Sequence, residues 1–290
     1  MQKIGQNGED CHGARKTHPC SSRENGLKMP VVVVLCTVSH VLATVVLLLG
    51  MTRRSYVEAV LNAIRSPEIS ALDITVRLLL SIDRKNGAMV AMETVKLAQE
   101  YLLTSDDCVV GVDLSGNPKV GHWRDFYPAL QVARNTGLKL SLHLAEIPGQ
   151  DEETQALLEL RPHRIGHGTF LKASRNGTSE LVEHVRKLKI PLELCLTSNV
   201  KCQTVKTYHE HHFKFWFDQS HPCTFCTDDK GVFSTTLSEE YGIAATTFGL
   251  SPKQLWDISY NSIDFAFAQH DVKDKLRFTW NEHKHLILRK

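Results

Sequence analysis

The chain has 290 residues, long enough for one large α/β domain or two small ones. Its 42% hydrophobic and 23% charged residues are those of an ordinary soluble globular protein, and a formal net charge of +2 gives no electrostatic footing for nucleic acid. Eight cysteines scattered over this length exclude a dense disulfide scaffold and indicate a reducing compartment.

Residues 1–29 are polar, without apolar periodicity, and read as a disordered segment. The run from Pro30 to Gly50 follows, free of Asp, Glu, Lys and Arg and close to the roughly 20 residues that cross a bilayer. Two readings stand: a membrane anchor, or buried elements that fill part of a barrel. Thr37, Ser39, His40 and Thr44 weaken the span, and basic residues flank both ends, so the charge rule gives no orientation.

From residue 53 the pattern becomes regular. Arg54–Arg65 has helical spacing and Leu72–Ile82 is an apolar, β-branched strand. A helix at Met89–Leu103, a strand at Val109–Leu114 and a helix near 121–136 continue the alternation. Next come a strand at Leu138–His143, a helix at 152–160, a short strand at His163–Gly166, a helix at 179–188 and the strand Leu192–Leu196. A loop, an aromatic helix, the strand Thr224–Thr227 and helices from 237 onward complete the chain. Cys223-Thr-Phe-Cys226 has CxxC spacing, but with no second CxxC it reads as part of a strand. Strands alternating with amphipathic helices give βαβ units and a parallel sheet, here about six units of the eight that close a barrel. The fold expected of residues 51–290 is α/β, a TIM-like parallel (β/α) barrel incomplete at its N-terminus. No Gly-rich phosphate loop follows a strand, which argues against an open doubly wound sheet.

The polar residues of interest fall at carboxyl ends of strands, where barrel enzymes place their sites. One strand ends in His143-Leu-Ala-Glu146, an imidazole suited to a metal with a carboxylate that can shuttle protons. The next ends in Arg164-Ile-Gly-His167-Gly168, where glycines on both sides allow a sharp turn that aims the ring into the barrel mouth. The last ends in Thr227-Asp228-Asp229, adjacent carboxylates that repel unless a metal or donor holds one. Gly116, in Asp113-Leu-Ser-Gly116, offers backbone close to a ligand. Singly, each has a plain structural alternative: a solvated turn, a turn histidine, a helix N-cap. Together, at one end of one barrel, they read as an active site.

These motifs, with Leu194-Cys-Leu-Thr-Ser-Asn199 and Thr227-Asp-Asp-Lys-Gly231, resemble the ordered signature of the adenosine/AMP deaminase superfamily. The spelling His-Leu-Ala-Glu-Ile-Pro with Cys-Thr-Asp-Asp-Lys-Gly-Val-Phe is closest to its adenosine deaminase-like, N6-methyl-AMP deaminase branch, over about Met51 to the C-terminus. The resemblance implies a cytosolic, monomeric hydrolase acting on a small-molecule purine nucleotide with one zinc ion. His143 and Asp228 would be zinc ligands. Glu146 would donate a proton to the ring nitrogen beside the attacked carbon, and His167 would orient or deprotonate the attacking water. Asp229, the Gly116 backbone N–H and Asp83 would contact the substrate. The implied reaction is hydrolysis at purine C6, most directly N6-methyl-AMP to IMP plus methylamine.

The chain departs from the family in one respect. The family's first strand ends in a His-x-His pair supplying two zinc ligands, and no apolar strand here ends that way. His209-Glu-His211 precedes an aromatic run and reads as a loop and helix start. Two ligands fall short of the three that a catalytic zinc site normally uses, so weakened zinc binding and impaired activity are expected. The alternative is a catalytically inactive, membrane-tethered or regulatory form.

Overall fold

The structure, a computed structural model, describes residues 31–35 and 50–288. The polar segment 1–29 and most of the apolar run 30–50 lie outside the described residues, as does His40. Among the described residues no helix is long and apolar enough to cross a membrane.

Seven parallel strands form one sheet in chain order: β1 (Val31–Leu35), β2 (Ile74–Asp83), β3 (Val109–Ser115), β4 (Lys139–Leu144), β5 (Arg164–His167), β6 (Leu192–Leu194) and β7 (Cys223–Phe225). β1 pairs with β2 from Val31↔Ile74 to Leu35↔Leu78. Beyond β2, crossover helices join consecutive strands, which is the βαβ arrangement of an incomplete TIM-like barrel.

The alternation of strand side chains decides what lies where. Leu78, Leu80, Ile82, Val112, Leu114, Leu140, Leu142, Ile165 and Leu192 are buried in the core cluster together with helix residues such as Val95, Ala98, Phe126, Leu130 and Val185. Each fully buried aliphatic side chain of this kind contributes on the order of 1.5–3 kcal/mol. The intervening positions carry Ser81, Asp113, Ser115, Ser141, His143, Arg164 and Glu193, and these meet one another. Ser81 Oγ is 2.8 Å from Ser115 Oγ, the Ser141 hydroxyl donates to Glu193 at 3.2 Å, and Arg164 Nε donates to the same carboxylate. Polar groups buried in a barrel lumen persist because they are paired.

Most expected elements appear within a few residues of their expected bounds, with one difference that matters. The strand expected at Leu192–Leu196 stops at Leu194, and Leu196–Lys201 is a short helix, with Asn199 N donating to Cys195 O at 2.9 Å. That helical turn brings Ser198 and Asn199 to the barrel mouth. The aromatic helix is Phe213–Asp218, preceded by a 3₁₀ turn at Tyr208–Glu210, the loop and helix start expected for His209–His211.

Candidate active site

His143 comes from β4, and its Nδ1 lies 2.9 Å from Asp113 Oδ1 of β3. Asp113 is only 1% exposed, and burial raises its pKa while the His143 charge opposes the rise. For His143, burial disfavours charge, but Asp113, then Glu146 and Asp228, outweigh it and leave the imidazole well above its ordinary pKa. Three carboxylates around one ring make a pocket that attracts positive charge. Gly166 of β5 stands against this ring: a Cβ there would lie 3.1 Å from His143 Cγ and Nδ1. Any side chain at 166 would crowd His143.

At the next strand ends the chain turns abruptly. Ala145 (φ 50°), His167 (φ 60°) and Asp228 (φ 54°) all adopt left-handed backbone without being glycine. Such conformations cost on the order of 1–3 kcal/mol each and concentrate at functional sites. Here they turn the chain at the ends of β4, β5 and β7 into one mouth. The His143 and His167 ring centroids are 5.1 Å apart, and His167 Nε2 is 3.7 Å from Asp228 Oδ2. The Ser198 hydroxyl donates to that same carboxylate oxygen at 2.7 Å. The His167 carbonyl accepts from buried His212 Nε2 at 2.8 Å, which supports the strained backbone.

Ligand atoms of His143, His167 and Asp228 lie within 4.8 Å of one another. Two donors of a tetrahedral zinc ion stand roughly 3.3 Å apart at bond lengths near 2.0–2.1 Å, so these side chains would draw together to share one ion. The chemistry fits as well. A carboxylate behind the imidazole, as Asp113 stands behind His143, is the usual outer partner of a histidine ligand.

Glu146, partly buried, follows Ala145 and acts electrostatically on His143. Asp83 and Gly116 form a second grouping at the ends of β2 and β3. Gly116 has φ 95°, and a Cβ there would collide with Asp83 Oδ1. Asp83 Oδ1 also accepts from Lys85 N at 3.0 Å. Asp229 sits at the N-cap position of the helix Lys230–Phe233 without capping it through its side chain. Of the His209-Glu-His211 pair weighed in the sequence, His209 is exposed, while His211 and the adjacent His212 are buried and hydrogen-bonded behind His167 rather than gathered with His143.

Sequence reasoning passed over Asp113, Ser198 and Asn199 as individuals. Each lies inside a quoted motif. The signal that could have singled out Asp113 is its charge at an otherwise apolar strand position.

Residues 30–280 match the family model described as adenosine deaminase. The N6-methyl-AMP deaminase of Danio rerio is 54% identical over 82% of this chain and 69% of its own length. The human N6-methyl-AMP deaminase is 53% identical over 82% and 67%. This chain thus spans about two thirds of these relatives. Among solved structures, Arabidopsis ADAL complexed with GMP superposes with a TM-score of 0.74 at 44% identity, over 80% of this chain and 68% of that one. The same Arabidopsis protein has been solved with IMP, also at a TM-score of 0.74 and 44% identity, over 81% of this chain and 68% of that one.

Proposed function

The chain belongs to the adenosine deaminase family, and from that membership we propose that it hydrolytically deaminates a 6-aminopurine nucleotide, converting N6-methyl-AMP to IMP and methylamine. The observation that carries the proposal is the convergence of His143, His167 and Asp228 at strand ends where Glu146 also stands. The naming of relatives as N6-methyl-AMP deaminases and the GMP and IMP complexes of the Arabidopsis protein support the nucleotide class.

His143 and Asp228 would hold a zinc ion, which when bound supplies Lewis-acid activation of water. Asp113 keeps the His143 ring oriented from behind, and Ser198 fixes the Asp228 carboxylate. Glu146 donates a proton to the ring nitrogen beside the attacked carbon, so that electron density has somewhere to go as C6 becomes tetrahedral. His167 orients the attacking water through Nε2. Asp229 hydrogen-bonds the imidazole side of the purine, the Gly116 backbone N–H faces the base, and Asp83 shapes the same end of the pocket. The carbon–nitrogen bond at C6 then breaks, and the amine leaves with a proton.

Among the described residues two serve as ligands once His167 is assigned to the water, so zinc affinity is proposed to be weak and turnover slow. A cytosolic location accords with the free thiols of Cys108, Cys202 and Cys223.

The test is incubation of the purified chain with N6-methyl-AMP, AMP and adenosine in the presence of added zinc, following IMP or inosine and the released amine. Turnover of N6-methyl-AMP in preference to adenosine is expected. Turnover of none of the three overturns the proposal.

A further inference from the structure

His167 has two ring nitrogens, and what it can do in the site depends on which one carries the proton. A chain of hydrogen bonds behind it settles this. The backbone N–H of Phe213 donates to His211 Nδ1 at 3.0 Å, so that nitrogen holds a lone pair. The proton of the neutral His211 ring is therefore on Nε2, which lies 3.0 Å from Asn199 Oδ1. Asn199 accepts there, and its amide orientation follows: Nδ2 faces the other way. Thr204 Oγ1 enforces the same orientation, because it gives its own proton to the Asn199 carbonyl at 3.1 Å and accepts from Nδ2 at 3.0 Å. Asn199 Nδ2 also lies 3.3 Å from both His167 Nδ1 and Thr169 Oγ1, which share its second hydrogen, and a donor nitrogen facing His167 Nδ1 disfavours a proton there. A neutral His167 then carries its proton on Nε2, the nitrogen 3.7 Å from Asp228 Oδ2.

We propose that His211, acting through Asn199, is a positioning residue that holds His167 in the tautomer with its proton on Nε2. His211 suits the task because it is 2% exposed and stacked on His212, with ring centroids 4.2 Å apart. Burial holds it neutral, its pKa well below the ordinary value, so the Phe213 N–H always finds a lone pair. The catalytic consequence rests on the function proposed above. With Nε2–H toward the site, His167 orients the attacking water as a donor and does not present a lone pair to a metal between His143 and Asp228. The opposite tautomer would turn its lone pair into the site and make His167 a third ligand. Thus a pair of residues behind the site separates the water-orienting histidine from the metal-holding one.

The experiment is two-bond proton–nitrogen correlation NMR on the full chain labelled with ¹⁵N-histidine, at about pH 8 where an ordinary imidazole is neutral. His167 is assigned by the signal that His167→Gln removes. The wild-type ring is expected as the Nε2–H tautomer. Asn199→Asp replaces the donating N–H with a carboxylate oxygen and is expected to invert it to Nδ1–H. His211→Leu is expected to yield a mixture, and His211→Gln, whose amide can still donate to Asn199 Oδ1, to restore Nε2–H. Turnover should follow: kcat lower by on the order of 10–100-fold in His211→Leu with KM little changed, recovering in His211→Gln. A wild-type His167 in any other state, or Nε2–H retained in Asn199→Asp, overturns the proposal. Should the variants fail to fold, the wild-type tautomers of His167 and His211 decide it alone. If no form of the chain turns over substrate, the function reading fails while the NMR result still stands or falls by itself.

Discussion

Asp113 Oδ1 and His143 Nδ1 meet at 2.9 Å inside the barrel, a carboxylate on β3 anchoring an imidazole on β4. Burial raises the Asp113 pKa, so the fold bears a cost for keeping this carboxylate there. Removing it should therefore cost the site more than the fold. In Asp113→Ala, zinc affinity is expected to fall by roughly 10–100-fold, as for other outer partners of histidine ligands. Stability should move by no more than about 1 kcal/mol, because the lost pairing is offset by relief of desolvation. Zinc titration calorimetry and urea denaturation on the same variant separate the two effects.

Gly116 is expected to be irreplaceable. At φ 95° any side chain is strained, and a Cβ would strike Asp83 Oδ1. Gly116→Ala should lose on the order of 1–3 kcal/mol in denaturation, with KM for the nucleotide raised as the Asp83 carboxylate is displaced.

Arg164 and Glu193 form a buried ion pair, 4% and 7% exposed at their side chains, joined by the Ser141 hydroxyl. Breaking a buried pair from one side leaves an uncompensated charge. Arg164→Met should cost roughly 3–5 kcal/mol, and the double variant Arg164→Met with Glu193→Leu should recover much of it. Urea midpoints of the three proteins check this.

The stability of the fold should fall in mild acid. Burial holds His212 at about 3 and His163 at about 4, and depresses His211 and His221 as well. An unfolded histidine titrates near 6.5. Below that pH the unfolded chain binds protons that these native rings refuse, so their stabilising contribution is full above about 6.5 and drains away as pH falls toward 4. His212 and His163 each contribute a slope approaching 1.4 kcal/mol per pH unit between about 6.5 and their own pKa values. His143, shifted upward by its carboxylates, adds stability as pH falls toward 6.5 and contributes no slope below it. Urea midpoints measured from about pH 8 to 4.5 should decline below 6.5, and a flat profile would contradict the assignment.

How far the sequence alone reaches differs between the scaffold and the site. β2 to β5 could be placed because their apolar runs are short and regularly interrupted by amphipathic helices. The left-handed turns at Ala145 and Asp228 left no trace, since non-glycine residues carry no signal for positive φ, while at His167 only the flanking glycines announced a sharp turn. Leu196 looked like a strand residue because its helix buries it as fully as a strand would. At the site, His143, Glu146, His167 and Asp228 were legible at strand ends. Their supports were not. Asp113 pairs with a residue 30 positions away and His211 with one 12 positions away, relations that only the folded chain creates.

The central claim is that this barrel mouth performs hydrolytic deamination with Glu146 as its proton donor. Its most direct test is the turnover of N6-methyl-AMP by the zinc-supplied wild-type chain beside Glu146→Gln, with IMP and methylamine quantified together. The account predicts equal amounts of the two products from the wild type and a kcat lower by on the order of 10²–10⁴-fold in the variant. Full activity in Glu146→Gln would contradict it.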